Sequence, residues 1–247
     1  MRQSVAGTVT MLAVLAMAGC EAEAETEVPQ DDTTQILLSG TSGISTEMNR
    51  GTAVDPNESM IRLAELGYDM GDDDAPIRIV EMSDYSCGFC RQFHAETFPI
   101  LYEEFIETGK VVWKFIPFIN GMFQHSLKAT EGAECTMGQS QEMFATLNDR
   151  LWNEQASWKN DDDPAAVVRQ MAGDAGVDLD EYDACLEDNR YIEKIGQSGG
   201  LARQLGVRGT PTFYVLGYPP IQGAMSTEAF QQVLRMIYEE QSATGAN

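Results

Sequence analysis

The stretch IRIVEMSDYSCGFCRQF, residues 77–93, decides the fold of this chain of 247 residues. It begins with an apolar, β-branched run at residues 77–80 that is broken once, by Arg78, which is typical of a buried β-strand. After a short polar turn, apolar residues recur at helical spacing from Arg91 to a stop at Gly109, and a kink is expected at Pro99. The sequence therefore predicts a strand, a turn and a helix, with two cysteines where the helix begins.

These cysteines form a Cys-x-x-Cys motif, Cys87-Gly88-Phe89-Cys90. The free N–H groups and the positive dipole end of a helix N-terminus stabilise an anion. We therefore expect Cys87 to be an exposed thiolate, with a pKa well below the ordinary value of about 8.5. A thiolate is the attacking species in disulfide exchange, and Cys90 is placed to resolve a mixed disulfide formed at Cys87. The motif thus predicts a redox-active dithiol.

Other roles for the two thiols stay open at this point. The motif can be half of a zinc site, although the sequence has no second Cys-x-x-Cys and no histidine pair at ligand spacing. It can be an inert disulfide, although a tight loop at a helix start favours a reactive bond. It can also bind Cu(I), although further Cys, His or Met clusters are missing near the motif. We predict no metal and no cofactor.

The N-terminal part of the chain has the features of an export signal and a tether. Residues 1–19 combine a positive charge at Arg2, a short apolar run and a small-residue cleavage site, as in a signal peptide. The following Met17-Ala18-Gly19-Cys20 resembles the lipobox of bacterial lipoproteins, which implies a lipid on Cys20; without acylation the segment is an ordinary secretory signal. Residues 20–57 are acidic and poor in apolar side chains, which predicts a flexible tether. We expect export to the periplasm or cell envelope, with attachment to a membrane.

The rest of the chain contains a second strand, a helical stretch and a closing hairpin. Residues 111–118 form an apolar strand that we expect to pair in parallel with the first through a right-handed crossover. Strand patterns return at residues 212–216 and 221–224, and Ser226 caps a last amphipathic helix. Helices are predicted at about residues 56–66, 126–137, 141–152 and 191–205. Two more are predicted from their caps, one beginning at Asp163-Pro164 and one at Asp178 with Glu181.

A Cys-x-x-Cys motif after a strand and Gly209-Thr210-Pro211-Thr212 before a late strand together resemble the thioredoxin-fold disulfide oxidoreductases. The helical insertion between them resembles the DsbA type, and the likeness covers about residues 68–240. It implies an α/β, thioredoxin-like fold with an inserted all-helical domain. The first thioredoxin-like part is then residues 58–118, the insertion residues 119–206 and the second part residues 207–243.

The resemblance also implies roles for residues near the cysteines. The Thr210–Pro211 peptide is expected to be cis and to lie against the cysteines, where the Thr210 backbone can pair with an extended substrate; a trans proline opening an edge strand is the alternative. Glu81 stands where the superfamily places a buried acid, which can take the proton from Cys90. Strand alternation puts Glu81 on the apolar side of its strand, which favours burial over an exposed edge.

The direction of electron flow is left open by the departures from the family. The most oxidising members carry His before the second cysteine, whereas this chain has Phe89, which implies a less oxidising disulfide. Thr before the cis proline is closer to the DsbC-type isomerases. We predict an oxidase of unfolded or partly folded proteins with cysteines, reoxidised by a DsbB-like membrane partner. The alternatives are an isomerase or reductase kept reduced by a DsbD-like partner, and a surface lipoprotein with a vestigial site.

The remaining cysteines and histidines receive structural roles. Cys135 and Cys185 are left after Cys20 and the redox pair are assigned, and in an oxidising compartment we expect them to form a structural disulfide; two separate buried thiols are the alternative. His94 falls one helical turn after Cys90 and is expected to be a solvated surface residue; modulation of the Cys90 thiol is the alternative. His125 is expected to be a helix cap or surface residue. The net charge of −23 repels phosphate groups, which excludes a nucleic-acid partner.

Overall fold

The structure, a computed structural model, describes residues 63–119 and 121–244. Within these residues five strands form one mixed sheet in the order β1-β3-β2-β4-β5. The strands are β1 Tyr68–Met70, β2 Ile77–Ser83, β3 Val111–Pro117, β4 Thr212–Val215 and β5 Ile221–Gln222. β2 and β3 are parallel, as predicted, and the other pairings are antiparallel. The short edge strand β1 was not predicted.

Helix α1 spans residues 88–106 and joins β2 to β3. Its four segments alternate between α-helical and π-helical hydrogen bonding: Gly88–Gln92, Phe93–Thr97, Phe98–Leu101 and Tyr102–Ile106. Pro99 has no N–H to donate, so the hydrogen-bond ladder cannot run through it unchanged. π-helical turns therefore lie on either side of Pro99, the residue at which a kink is predicted. Gly109, with a φ of +69°, permits the turn into β3.

The segment between β3 and β4 is dominated by helices, and one more helix follows β5. They are α2 Ser126–Met137, α3 Gln141–Asn153, α4 Gln155–Lys159, α5 Pro164–Asp174, α6 Leu179–Glu187, α7 Ile192–Gln204 and α8 Thr227–Thr244. Ser140, Asp163 and Asp178 cap α3, α5 and α6 by accepting first-turn backbone N–H groups. Cys135 of α2 and Cys185 of α6 form a disulfide, the predicted pairing.

The two faces of the sheet bury different sets of side chains. On one face Trp113 of β3 packs between Phe93 of α1 and Phe230 of α8, with ring centroids 5.9 Å and 6.0 Å away. On the other face Val80 and Met82 of β2 join a smaller cluster with residues of α7. Because side chains alternate along β2, its odd-numbered residues face α1, and this alternation directs Glu81 toward the helix that carries the cysteines.

Several predictions lie outside the described residues. They are the signal peptide at residues 1–19, the lipidation of Cys20, the tether at residues 20–57 and most of the short helix at about residues 56–66. The described end of that helix, residues 63–65, is helical. In the part of the chain that is described, every helix is too short or too polar to cross a bilayer.

Candidate active site

Cys87 is the N-cap residue of α1, at the end of the loop that leaves β2. Its backbone is extended, with φ −77° and ψ 125°. The Cys87 N–H donates to the carbonyl oxygen of Asp84 at 2.9 Å, and the Cys87 carbonyl accepts the N–H of Arg91 at 3.0 Å. Both cysteines of the motif are free thiols. The loop therefore delivers one sulfur to the first turn of α1, as predicted.

The two thiols have opposite acidities. The pKa of Cys87 falls to about 5, chiefly because the Cys90 thiol donates a hydrogen bond to its sulfur. The Thr210 side chain and the backbone N–H groups of Phe89 and Cys90 add to this, while burial opposes it. Burial and the neighbouring Cys87 sulfur raise the pKa of Cys90 well above its ordinary value. The lowered pKa of Cys87 is as predicted, but the partner cysteine contributes more to it than the helix does.

The prediction of an exposed Cys87 is wrong, because the residue is only 1% exposed. The loop before β4 lies against it: the Thr210–Pro211 peptide is cis, and the Cys87 sulfur lies 3.4 Å from the Thr210 carbonyl oxygen, a hydrogen bond that only the protonated thiol can donate. The same loop contact that the sequence predicts thus helps to cover the sulfur. The motif reaches the surface through its middle residues, and Phe89 is 66% exposed.

Glu81 is fully buried on β2 and makes three hydrogen bonds. Its Oε1 accepts the Ser83 hydroxyl and bonds to His94 Nε2 at 2.7 Å, and its Oε2 accepts Trp113 Nε1–H at 2.9 Å. Ser83 also acts on the Cys90 thiol and lowers its pKa, against the larger effect of burial. Ser83 is therefore the residue that interacts with both Glu81 and Cys90.

The prediction that His94 is a solvated surface residue is wrong. The residue is 7% exposed, and its ring stacks on Trp152 of α3 with centroids 4.2 Å apart and planes 4° apart. The physical reason is that α3 packs over this side of α1. Its position one helical turn after Cys90, on the same helix face, is a signal that could have indicated burial. The other histidine, His125, is the exposed N-cap residue of α2, as predicted.

Two side chains of helix α4 donate three hydrogen bonds to the cysteine loop that sequence reasoning missed. Gln155 Nε2 donates to the carbonyl oxygens of Tyr85 at 2.6 Å and Cys87 at 2.9 Å. Lys159 Nζ donates to the carbonyl oxygen of Ser86. Three successive carbonyls are therefore fixed by one short helix. A five-residue helix has no periodic pattern that would reveal it, and the sequence contains no signal for these contacts.

Asp84 is a second buried acid, three residues before Cys87. Its Oδ1 accepts the Ser86 N–H at 2.8 Å and the Ser126 hydroxyl at 2.6 Å, whereas Oδ2 has no hydrogen-bond partner within the described residues. The pKa of Asp84 is raised to about 6, chiefly by burial and in smaller part by the negative charge of Cys87, while the hydrogen bonds and Lys159 oppose the rise. Asp84 therefore changes its charge near neutral pH, next to the acidic thiol.

Replacing Gln155 with Ala tests the support that α4 gives to this loop. The change leaves the buried carbonyls of Tyr85 and Cys87 without that donor, so we expect the free energy of unfolding to fall by about 1–3 kcal/mol. Urea unfolding measures the change. The matched control is Gln204→Ala, at an exposed position of α7, which should shift the value by less than about 0.5 kcal/mol. If the free energy of unfolding of Gln155→Ala equals that of the wild-type protein, other contacts hold the loop.

Within the described residues, the two thiols are not part of a larger group of metal-binding side chains. In residues 63–119 and 121–244, His, Cys, Asp and Glu side chains nowhere gather in threes as metal ligands. A structural zinc site uses four such ligands. The chemistry that these described residues support is exchange between thiols and disulfides, with one acidic nucleophile and one protonated partner.

Comparison with known proteins identifies the family. The family model described as "Thioredoxin" matches residues 65–235 of this chain. The "Probable disulfide bond formation protein D" of Bacillus cereus is 31% identical over 154 residues, which are 60% of this chain and 69% of that protein. The "Disulfide bond formation protein D" of Bacillus subtilis is 26% identical over 59% of this chain and 66% of its own length. The chain belongs to the thioredoxin family.

Solved structures agree with this fold. Wolbachia pipientis alpha-DsbA1 superposes with a TM-score of 0.64 at 25% identity, over 71% of this chain and 92% of its own. Oxidised BdbD from Bacillus subtilis superposes with a TM-score of 0.63 at 20% identity, over 69% of this chain and 92% of its own. Within the family the chain is a protein disulfide oxidoreductase of the DsbA type. The predicted thioredoxin-like fold with a helical insertion is confirmed.

Proposed function

We propose that this protein is a cell-envelope oxidase that forms disulfides in unfolded or partly folded proteins, with Cys87 and Cys90 as its redox pair. The observation that carries the proposal is the pKa of Cys87, about 5. A thiolate that is stable at neutral pH favours the reduced pair, and a disulfide whose reduced form is stabilised is a strong oxidant. The relatives named as disulfide bond formation proteins support the same direction.

The proposed reaction begins from the Cys87–Cys90 disulfide. A substrate thiolate attacks the Cys87 sulfur, the bond between the two cysteines breaks, and Cys90 leaves and takes up a proton. A mixed disulfide now joins Cys87 to the substrate. A second substrate thiolate attacks the substrate sulfur of this bond and releases Cys87 as a thiolate. The substrate loses two electrons and the cysteine pair gains them. In this scheme Glu81 is the acid that supplies the proton taken up by Cys90.

The loop at Thr210 and Pro211 is proposed to hold the substrate. In the reduced protein the Thr210 carbonyl oxygen lies 3.4 Å from the Cys87 sulfur. A substrate strand that enters beside Cys87 can take over hydrogen bonding to the Thr210 backbone and uncover the sulfur at the same time. Phe89, which is 66% exposed, offers apolar contact to an unfolded chain at the mouth of this site.

The location and partners belong to the same proposal. We infer export by residues 1–19 and anchoring through lipid on Cys20, followed by reoxidation by a DsbB-like membrane partner. The disulfide between Cys135 and Cys185 supports an oxidising compartment, since such bonds do not persist in a reducing cytoplasm. We propose a structural role for that disulfide. A DsbD-like partner that kept Cys87 and Cys90 reduced would instead make the protein an isomerase or reductase.

A redox titration against glutathione tests the direction of electron flow. For an oxidase we expect a reduction potential well above the roughly −270 mV of thioredoxin, toward the roughly −120 mV of DsbA. A Phe89→His variant should lie higher still, because an imidazolium beside the thiolate stabilises the reduced form. A wild-type value near that of thioredoxin would overturn the oxidase role and favour the reductase, with the exchange chemistry of Cys87 intact.

A further inference from the structure

Cys90 must gain a proton in the proposed reaction, yet water has no direct route to it. The residue is 0% exposed. Its pKa is far above the ordinary value, so the sulfur that leaves the disulfide is unstable as a thiolate. The polar groups that act on this sulfur are the Cys87 sulfur, the Ser83 hydroxyl and the backbone of Asp84. Of these, the Ser83 hydroxyl is the group that can both give and accept a proton without changing the charge of the nucleophile.

A continuous set of hydrogen bonds leads away from Ser83. Its hydroxyl bonds to Glu81 Oε1, and the same oxygen bonds to His94 Nε2 at 2.7 Å. All three residues are buried. Trp113 Nε1–H holds the other carboxylate oxygen of Glu81 at 2.9 Å, and Trp152 stacks on the imidazole of His94, so neither group is free to turn away.

The far end of this set reaches a cleft. His94 borders a cavity of about 610 Å³ between β1, α1 and α3. Exposed residues of α3, among them Gln141 and Asp149, line it, so the cavity lies at the surface. The charged groups that face His94 are Glu81 from β2 and Asp149 from α3, and Asp149 interacts electrostatically with the imidazole. Other acids that line the cleft are Asp69 of β1 and Glu103 and Glu107 at the C-terminal end of α1.

We propose that Ser83, Glu81 and His94 form a proton path between the Cys90 thiol and this cleft, with His94 as the group that exchanges protons with water. The inference rests on the proposed exchange reaction and assigns Ser83 and His94 to it. When a substrate thiolate bonds to Cys87 and the bond to Cys90 breaks, the Ser83 hydroxyl protonates Cys90. Ser83 is reprotonated from the Glu81–His94 pair, and His94 takes one proton from water. One substrate thiolate, one disulfide and one proton become one mixed disulfide and one thiol.

Removing the imidazole should slow this step and leave the nucleophile unchanged. Stopped-flow mixing of oxidised protein with a reduced two-cysteine peptide measures the rate of attack on Cys87. We expect His94→Ala to react about 100-fold more slowly, since general acid–base groups contribute about 10²- to 10⁴-fold. The pKa of Cys87 should stay near 5, because His94 is not among the groups that set it. His125→Ala, at the exposed cap of α2, is the matched control and should react at the wild-type rate.

Chemical rescue separates a proton path from a packing role. Imidazole added to His94→Ala can enter through the cleft, and we expect it to restore the rate in proportion to its concentration. His94→Gln keeps a donor toward Glu81 but cannot exchange a proton, so it should be as slow as His94→Ala. Ser83→Ala should be slow without rescue by imidazole, whereas Ser83→Thr, which keeps the hydroxyl, should recover most of the rate.

Two outcomes overturn the proton path. One is a wild-type rate in both His94→Gln and Ser83→Ala. The other is a slow His94→Ala protein that imidazole does not accelerate, which would assign His94 to packing against Trp152. Either result leaves the proposed oxidase intact as long as the wild-type protein oxidises the peptide through Cys87. A wild-type protein that fails to oxidise the peptide would refute the proposed function itself.

Discussion

Cys87→Ser is expected to abolish disulfide exchange, and Cys90→Ser is expected to trap the substrate as a mixed disulfide. A serine hydroxyl is not ionised at neutral pH and cannot form the disulfide, so the first change removes the nucleophile. The second keeps the Cys87 thiolate but removes the sulfur that resolves the bond. Oxidation of a reduced two-cysteine peptide measures the loss in Cys87→Ser. For Cys90→Ser the substrate is a disulfide-linked dimer of a one-cysteine peptide: the Cys87 thiolate attacks this disulfide, one peptide leaves as a thiolate, and non-reducing mass spectrometry detects the other as an adduct.

The acidity of Cys87 supplies the control for these variants. Its thiolate absorbance should titrate near pH 5 in the wild-type protein. Cys90→Ser keeps a hydroxyl donor toward Cys87, whereas Cys90→Ala removes the hydrogen bond that lowers its pKa most, so the titration should move upward only in the Ala variant. Exchange activity that survives in Cys87→Ser would contradict the assignment of the nucleophile.

The same pKa makes the stability of the reduced protein depend on pH. The pKa of Cys87 is about 5 in the folded chain, against an ordinary value of 9.0. A depressed folded pKa stabilises the folded state fully above the unfolded pKa, and this contribution is lost as the pH falls toward 5, by about 1.4 kcal/mol per pH unit between the two values. Unfolding of reduced wild-type protein should show this loss, and Cys87→Ser should not.

Removal of the Cys135–Cys185 disulfide should lower the stability of the protein strongly. The bond joins residues separated by 50 positions, and a loop of that length corresponds to a loss of about 4 kcal/mol in the free energy of unfolding when both cysteines are changed to Ala. Urea unfolding of the double variant measures it. Neither cysteine is among the groups that set the acidity of Cys87, so the thiolate should still titrate near pH 5 while the chain is folded.

A matched control comes from reduction of the bond. In a background that carries Cys87→Ser and Cys90→Ser, dithiothreitol can reduce only this disulfide among the described cysteines. The reduced protein should then lose as much stability as the double Ala variant. A loss below about 1 kcal/mol in both would contradict the stabilising role and would mean that helix packing alone holds α2 against α6.

Features set by neighbouring residues could be predicted from the sequence. The caps Ser226, Asp163 and Asp178 lie beside the helices they begin, and the structure places them there. The strand, turn and helix around Cys87 follow from periodicity within one short stretch. Strand β1 and helix α4 are too short for a pattern, and β1 is defined by its pairing with β3, a partner more than forty residues away.

Burial at the site depended on residues far away in the sequence. His94 was misjudged because the ring that covers it, Trp152, lies on α3. Cys87 was misjudged because the loop at Thr210 lies against it, although the loop itself was predicted to be there. Glu81 was placed correctly because alternation along a single strand decides its side. Spacing assigns a residue to a face, but the element that packs on that face is decided by the tertiary fold.

The bonds from Gln155 to the carbonyls of Tyr85 and Cys87 have a consequence for anyone who wishes to shorten this enzyme. A minimal scaffold made of the sheet, α1 and α8 would inherit both sulfurs and lose the amide that holds their loop. Transplanting residues 77–93 alone into a compact carrier would therefore transfer the motif without its rigidity. A working miniature must bring α4 along, or replace its single glutamine with another donor at the same place.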